Sequence, residues 1–377
     1  MAFTASLIPD ILYEVNEIFQ SPTTVDSRYA QEPASAPALL TRQTSRAVPR
    51  LTDGKCVGMS VWFYDAGASN TGYEGSTPDS GLSCDNAACG EGQTAAKDYE
   101  NNIFFNDCKA AVENRCDNEL SFTKESASVI YHLMYQMRTF LNKRVINTHF
   151  AAAQQNQTPT AQMPSYITER GGSNILQIDK DNMTDSTIWA TIVDLNIISS
   201  QNGLNNPIFL NGRNFLVARE LAPFNSLNDN QRSQQAIFNN LGQNMIWDLH
   251  TTHGVDAITT ELSTLAINPN SYLFWNWTAF PEVAEMKDGS INLWQFSIED
   301  PFYKYMDNGV LKPVKYDIEH TYECTGYDAA GLRKYTHSYR IFLRGGYALA
   351  PIGYNMAGTS QVYTGTMHYV QNANSGS

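Results

Sequence analysis

The stretch Ser121–Gln157, SFTKESASVIYHLMYQMRTFLNKRVINTHFAAAQQNQ, carries the clearest helical pattern in the chain. Its apolar residues recur at steps of three and four, which places them on one face of an α-helix. Ser121 or Thr123 can cap the first turn, and Glu125 lies where the helix dipole favours negative charge. The apolar stripe consists of Ala127, Ile130, Leu133, Met134, Met137, Phe140, Leu141 and Val145.

A helix of this length would span roughly 50 Å, at 1.5 Å per residue, and is much longer than the average globular helix. We therefore predict a spine along which a sheet or loops pack. Half of a helical bundle is the alternative, but no helical pattern of comparable length follows.

The N-terminal region combines a short helical pattern with a long polar stretch. Residues 6–19 carry Leu7, Ile11 and Val15 at helical spacing, which predicts an amphipathic helix. Residues 20–54 contain four prolines and show neither a helical nor a strand period. A stretch of this length without regular structure is typical of a linker, a lid or a functional arm.

Three arginines are spaced along the second half of that polar stretch: Arg42, Arg46 and Arg50. The apolar group Ala38–Leu40 beside them favours an arm that docks on protein over a plain disordered tail. Such an arm would become ordered only against neighbouring subunits. We expect the arginines to hold the arm to a neighbour, with solvated spacers as the alternative.

Strand signals flank a polar excursion between the arm and the spine helix. Val57–Tyr64 has strong β-propensity, and Lys97–Cys108 is another strand or edge candidate. Between them, Ala66–Ala95 is rich in Gly, Ser, Asn and Asp. We predict a long two-stranded loop here, outside the core.

Mixed signals follow the spine helix. Helices are predicted from Thr184 to Gly203 and from Asn230 to Asp248, because apolar residues recur there at helical spacing. Pro207–Leu216 is predicted to be a strand, and Ala257–Asn268 shows short apolar and polar alternation.

The C-terminal third has the alternation of β-strands. Val314–Tyr322 and Lys334–Leu343 both alternate apolar with polar side chains, and a glycine-containing linker joins them. This predicts an antiparallel hairpin that ends where Gly345-Gly346 breaks the pattern. Helices and strands are segregated along the chain, which indicates the α+β class.

The composition is poor in charge and rich in aromatic residues. Charged residues make up 17% of the chain, which also contains 20 Tyr and 17 Phe. Tyr and Phe are enriched, and Lys and Glu depleted, where proteins contact one another. A secreted or cell-surface β-rich protein is the alternative that composition leaves open. The formal net charge of −13 argues against tight nucleic-acid binding, because affinity for phosphate comes mainly from Lys and Arg.

Targeting signals are not recognisable in the sequence. The first 19 residues have no basic segment followed by an apolar run, as a signal peptide would. No stretch reaches the roughly 18 apolar residues of a membrane-spanning helix. We therefore expect synthesis in a cytoplasm and no membrane partner.

Four cysteines lie within 33 residues before the spine helix: Cys84, Cys89, Cys108 and Cys116. Zinc sites usually take pairs spaced two to four apart, which only the first pair approaches. A disulfide between Cys84 and Cys89, formed after release into an oxidising medium, is a second hypothesis. Ordinary free thiols are the third and the one we favour.

Catalytic patterns are weak throughout. His250 and His253 lie three apart, whereas metal pairs on a helix usually lie four apart with a glutamate between them. Glu261 is the nearest candidate base, and Glu299-Asp300 is predicted to be a solvated turn. We find no phosphate-binding loop, dinucleotide fingerprint or nucleophile elbow. We therefore predict no enzyme activity, no cofactor and no metal, with a metal-dependent hydrolase as the weakest alternative.

Five segments of the chain carry a resemblance to a known family: Tyr99–Phe105, YQMRTFLNKRVINTHFAAAQ (135–154), LAINPNSYLFWNWTAFP (265–281), DPFYKYMDNGVLKPVKYDIEHTYEC (300–324) and HSYRIFLRGGYALAP (337–351). They resemble segments of the capsid proteins of phages that infect Bacteroidota-type hosts. The order of the parts of the chain is similar to the major capsid proteins of tailed phages, of the Hong Kong ninety-seven type, and the similarity is spread over most of the chain.

The resemblance implies a division of the chain into named parts. Residues 1–54 would be the N-terminal helix and arm, and residues 55–120 the extended loop with its flanking strands. Residues 121–183 would be the spine helix and the start of the peripheral domain. Residues 184–310 would form a mixed axial and peripheral region, and residues 311–377 a C-terminal β region.

The implied function is that of a major capsid protein. Identical copies would assemble into hexamers and pentamers of an icosahedral phage head that encloses double-stranded DNA, with a portal and possible decoration or scaffold proteins as partners. The location would be the virion, after assembly in the host cytoplasm. A tail or decoration subunit is the alternative.

One departure from the family concerns covalent crosslinking. Some members crosslink through a lysine in the extended loop, but Ala66–Ala95 contains no lysine. We therefore expect non-covalent assembly, helped by Cys84 or Cys89 if they pair.

Overall fold

The structure is a computed structural model of the chain. The residues that the structure describes include the long helix and the strands that pack on it. They are residues 7–20, 34–44, 47–52, 56–65, 93–98, 103–114, 119–153, 167–169, 175–178, 199–200, 204, 206–211, 245–247, 262–280, 283–288, 291–327, 331, 333–349 and 365–371.

The predicted spine helix is confirmed as α3, Glu119–Ala153. Residues 154–157 of the prediction lie outside the described part of the chain. The whole apolar stripe is buried except Phe140, which is partly buried. The predicted N-terminal helix is also confirmed as α1, Leu7–Gln20, and its buried face packs along α3.

The arm contains regular structure that its sequence did not reveal. Ser35–Leu40 forms a short helix, α2, and Ala47–Thr52 forms strand β1. The expectation of no regular structure in residues 20–54 is therefore wrong for these two segments. Because Leu39 and Leu40 are fully buried and α2 packs on α3, tertiary contacts stabilise a helix too short to persist alone.

A small sheet, defined as β1 to β3, begins within the arm. It contains β2, Cys56–Asp65, and β3, Gln93–Asp98, in the order β1-β2-β3 with antiparallel pairing. The strand predicted at Val57–Tyr64 is confirmed. The one predicted at Lys97–Cys108 spans the end of β3 and the start of the next strand. Residues 66–92 of the excursion lie outside the described residues.

A six-stranded sheet, called the long-strand sheet, contains the predicted C-terminal hairpin. Its strands pair in the order β10-β14-β13-β12-β11, and β4 also pairs with β14, all antiparallel. The strands are β4, Ile103–Asn114; β10, Tyr272–Asn276; β11, Ala284–Asp288; β12, Ile291–Asp307; β13, Val310–Tyr327; and β14, Arg333–Leu349.

Strand β14 runs through Gly345-Gly346, so the predicted break there is wrong. Trp275 of β10 lies directly opposite Gly346 in the sheet. A Cβ atom at Gly346 would stand only 2.1 Å from Cζ2 of the Trp275 ring. The glycine is therefore required for the close approach of an indole and not for a turn.

A second six-stranded sheet, called the mixed sheet, has the order β5-β6-β15-β9-β7-β8. The β15–β6 and β7–β8 pairs are parallel and the others antiparallel. Its strands are β5, Ile167–Glu169; β6, Ile175–Ile178; β7, Ile208–Asn211; β8, Met245–Trp247; β9, Leu262–Ile267; and β15, Thr366–Gln371.

The mixed sheet tests several predictions from the middle of the chain. The strand predicted at Pro207–Leu216 is confirmed for Ile208–Asn211, which form β7, and residues 212–216 lie outside the described part of the chain. The alternating segment ends in β9. The helix predicted over residues 230–248 is wrong at its end, because pairing with β7 makes Met245–Trp247 a strand. Its other residues, and residues 184–198 and 201–203 of the other predicted helix, lie outside the described part.

One hydrophobic core joins the three helices to both six-stranded sheets. The described chain is therefore a mixed α and β structure with α3 at its centre. The division of the chain into five named parts stays a prediction.

Replacing Gly346 with Ala is expected to lower the free energy of unfolding by about 1–3 kcal/mol, the usual cost of overpacking. The new Cβ would overlap the Trp275 ring. Urea unfolding followed by circular dichroism measures the cost. In a Trp275→Leu background the same substitution should cost much less, because the ring is gone. Equal costs in the two backgrounds would show that the indole is not the reason for the glycine.

Candidate functional site

Among the buried polar residues of α3 are Arg138, Asn142 and His149, each 0% exposed. Each lies three or four residues from a member of the stripe, so each faces the core. Each also bonds to a different part of the chain, as described below. The inner face of α3 is therefore the place where distant segments are tied together, and we treat it as the candidate functional site.

Arg138 forms a buried ion pair with Asp300 of β12. Its Nε and Nη2 donate to the two carboxylate oxygens at 2.8 and 2.7 Å. Both side chains are fully buried. The Arg138 guanidinium also lies over the Tyr303 ring, 5.1 Å from its centroid. Two parallel charge-assisted bonds fix the position of α3 along the sheet in both distance and direction.

The Asp300 carboxylate is fully satisfied by its surroundings. Oδ1 accepts the backbone N–H groups of Phe302 and Tyr303, both at 2.9 Å. Oδ2 accepts the hydroxyl of Tyr316 at 3.0 Å. Burial, and then the charge of Asp300, raises the pKa of Tyr316, so the phenol stays protonated and donates.

The predicted turn at Glu299-Asp300 is wrong, because both residues belong to strand β12, and the predicted solvation holds for Glu299 but not for the buried Asp300. The Glu299 side chain is 61% exposed and pairs with Lys315 at 2.9 Å. The β12–β13 register shifts between Glu299 and Lys304, as in a β-bulge. Such an irregularity re-aims a side chain, and here Asp300 points to the helix.

The arm segment, defined as residues 34–44, is docked on its own chain. The Ala36 N–H donates to Oδ1 of Asn142 at 2.7 Å, and the Tyr272 hydroxyl donates to the Leu39 carbonyl at 2.6 Å. The Thr44 N–H donates to the Pro269 carbonyl at 3.2 Å. The segment is therefore held at both ends and in the middle.

The side-chain amide of Gln43 holds the arm segment to β10 through hydrogen bonds. Its Oε1 accepts the Phe274 N–H at 2.8 Å, and its Nε2 donates to the Phe274 carbonyl at 3.1 Å. Nε2 also donates to the Met306 carbonyl of β12. The buried amide thus pairs with both backbone groups of Phe274, as a neighbouring strand would.

The structure describes the three predicted arm arginines to different extents. Arg42 is partly exposed and lines an open cleft of about 880 Å³ with Thr41, Thr44 and the Asn308-Gly309 turn. Arg46 lies outside the described residues, and Arg50 belongs to β1. Their contact with a neighbouring subunit stays a prediction.

The remaining predicted ligands are not brought together among the described residues. Cys108 belongs to β4, and no group of three or more His, Cys, Asp or Glu side chains in the described part of the chain could hold a metal. The zinc, disulfide and hydrolase hypotheses stay untested. Outside the described residues lie Cys84, Cys89, Cys116, His250, His253 and Glu261.

Two buried imidazoles, His320 of β13 and His337 of β14, bond to each other. His320 Nε2 lies 3.0 Å from His337 Nδ1, and the rings stack at 5.2 Å. Burial, and then the neighbouring His337, lowers the pKa of His320 to about 2. Burial lowers the pKa of His337 to about 4. Both rings are therefore neutral at pH 7 and serve as hydrogen-bonding core residues.

Sequence reasoning missed Arg138, Asn142 and His149. Their signal was present, because each is a polar residue at a position of the apolar stripe. What the sequence did not contain was the identity of the partners, which lie as far as 217 positions away. None of the helices that the structure describes is long and apolar enough to cross a membrane.

No protein-family model and no curated protein matches the chain. Among solved structures it is similar to one named for Microbacterium phage Oxtober96, with 12% identity over 91% of this chain and 92% of that one, and a TM-score of 0.39. A structure named for Gordonia phage Cozz gives 13% identity over 91% and 88%, with a TM-score of 0.36.

A third similar structure is titled as the head structure of Helicobacter pylori bacteriophage KHP40. It gives 8% identity over 87% of this chain and 85% of that one, with a TM-score of 0.29. All these TM-scores lie below 0.5, so the similarities do not by themselves establish a shared fold.

Two neighbouring carboxylates provide a matched test of the ion pair. Asp300→Asn should lower the free energy of unfolding by about 3–5 kcal/mol, because Arg138 keeps an uncompensated buried charge. Glu299→Gln should cost less than about 1 kcal/mol, because that pair is exposed to water. Urea unfolding measures both. Similar costs for the two variants would contradict a special role for the buried pair.

Acid should destabilise the protein through its buried histidines. An unfolded histidine titrates near pKa 6.5, whereas the folded His320 and His337 have lowered pKa values. Below about pH 6.5 the unfolded state therefore binds more protons, and stability falls as the pH falls, by up to about 1.4 kcal/mol per pH unit for each histidine.

Replacing His320 with Phe should make this fall less steep, even if the variant is less stable at neutral pH. Unfolding free energies measured between about pH 6.5 and 4 give the two slopes. An unchanged slope would show that His320 does not stay neutral in the folded protein.

Proposed function

We propose that this chain is a major capsid protein, a structural subunit of a tailed-phage head with the Hong Kong ninety-seven type of fold. The observation that carries the proposal is the arrangement around α3. A single 35-residue helix is packed against an arm and two six-stranded sheets, and a small three-stranded sheet precedes it in the chain. This is the order of parts that the sequence resemblance implies.

Exposed apolar side chains on the β12–β13 hairpin support a role in protein assembly. Phe302 is 55% exposed, Val310 59% and Leu311 47%. Large apolar side chains grouped on one surface element are typical of protein contact sites. In the proposed shell this hairpin would meet another subunit.

The proposed assembly consists of identical copies in hexamers and pentamers that form an icosahedral shell around double-stranded DNA. A portal would complete the shell, and decoration or scaffold proteins are further candidates. Arg42, Arg46 and Arg50 would hold the arm to a neighbour, and no covalent crosslink is needed. The protein would assemble in the host cytoplasm and reside in the virion, and its role would be structural and not enzymatic.

Negative-stain electron microscopy of the expressed protein tests the proposal. Closed particles of uniform size are expected. Tubes would instead indicate a tail protein, and a stable trimer or monomer would contradict the capsid assignment.

The same images test the arm arginines. A variant with Arg42→Ala, Arg46→Ala and Arg50→Ala should give far fewer closed particles than the parent, because the arm would lose the charges that are proposed to hold it to a neighbour. Urea unfolding of the same variant distinguishes a loss of assembly from a loss of stability. The matched control replaces three exposed basic residues of α3: Lys124, Lys143 and Arg144. Normal particles from the arm variant, or an equal loss from the control, would contradict a specific role for the arm.

A further inference from the structure

His149 of α3 joins the two six-stranded sheets through its two ring nitrogens. Nε2 lies 2.5 Å from the hydroxyl of Tyr347 in β14 of the long-strand sheet. Nδ1 lies 2.9 Å from the hydroxyl of Thr366 in β15 of the mixed sheet. The imidazole is fully buried, so neither bond competes with water.

The contact continues from His149 to the arm segment. The Tyr347 ring stacks on that of Tyr272, with centroids 6.0 Å apart and an interplanar angle of 23°. The His149 ring meets both tyrosines edge-on, at 5.6 and 5.7 Å. The Tyr272 hydroxyl then donates to the carbonyl of Leu39 in α2.

These groups form a directional chain because they are neutral. Burial lowers the pKa of His149 to about 3 and raises those of Tyr272 and Tyr347. In a neutral imidazole one ring nitrogen donates a hydrogen bond and the other accepts one, so one of the two partner hydroxyls must accept and the other must donate. Loss of any one of the three hydrogen bonds therefore leaves a buried polar atom without its partner, which is costly in a dry interior.

We propose that Leu39, Tyr272, Tyr347, His149 and Thr366 form a conformational lock that couples docking of the arm segment to the relative orientation of the two sheets. When the arm segment is docked, Tyr272 is held and the two sheets share one fixed junction. When another protein draws the segment away, the Tyr272 hydroxyl loses its acceptor and the junction loosens. The lock is a property of the single chain and does not depend on the proposed function.

Hydrogen–deuterium exchange of the purified full chain tests the coupling at a distance. Thr366→Val removes the link at the mixed sheet, at the opposite end of the chain of contacts from the arm. Amide exchange in residues 34–44 is nevertheless expected to rise about tenfold, the change that corresponds to one buried hydrogen bond. Tyr272→Phe should raise exchange in β15 in return, because coupling between two sites is reciprocal.

Three further variants separate the lock from general destabilisation. His337→Phe removes a buried imidazole bond within the long-strand sheet and should leave exchange of residues 34–44 unchanged. Thr366→Ser keeps the hydroxyl and should behave as the parent chain. The double variant Thr366→Val with Tyr272→Phe should raise arm exchange by less than the product of the two single effects, since both cut the same chain.

Two results would overturn the proposal. One is unchanged exchange of residues 34–44 in Thr366→Val. The other is an equal rise in His337→Phe, which would mean that any buried hydrogen bond has the same effect. Neither result bears on whether the chain assembles into particles, so failure of the lock and failure of the proposed function are distinguishable.

Discussion

The buried ion pair between Arg138 and Asp300 is the constraint on which the remaining structure depends. Removing two charges from water costs several kcal/mol each, and attraction offsets this only when the geometry is good and all other bonds are made. Asp300 meets that condition, because it also accepts two backbone amides and the Tyr316 hydroxyl. Few positions of α3 along β12 satisfy all of these bonds at once. Apolar contact alone would tolerate sliding of the helix by a fraction of a turn, whereas two parallel charge-assisted bonds do not.

The same arrangement recurs at Asp317, where it fixes the chain after β10. Asp317 is 1% exposed, accepts the N–H groups of Ala279 and Phe280 at 2.9 and 3.2 Å, and pairs with Arg344. The Arg344 guanidinium lies over the Phe280 ring, 5.0 Å from its centroid. In both places a buried aspartate accepts hydrogen bonds from two consecutive backbone N–H groups and forms an ion pair with one arginine. Each pair therefore fixes an irregular stretch of backbone in one position.

The interior histidines have a different physical role from the charged pairs. Neutral imidazoles bond in two directions without the desolvation cost of a charge, so they connect elements without placing an ion in the core. His320 and His337 do this between two strands of one sheet, and His149 does it between two sheets. The consequence is an interior whose junctions require these imidazoles to stay neutral.

The sequence by itself determined the elements whose signals are local. The helical stripe of α3, the amphipathic α1 and the alternating hairpin β13–β14 follow from side-chain periodicity within each segment. Tertiary structure decided the rest. It made a helix of Ser35–Leu40 by burying its leucines and made β8 a strand by pairing it with β7. It also required Gly346 for the approach of Trp275 and turned Asp300 inward to Arg138. These outcomes depend on partners distant in the chain, and periodicity shows only which side chains face inward, not what they will meet there.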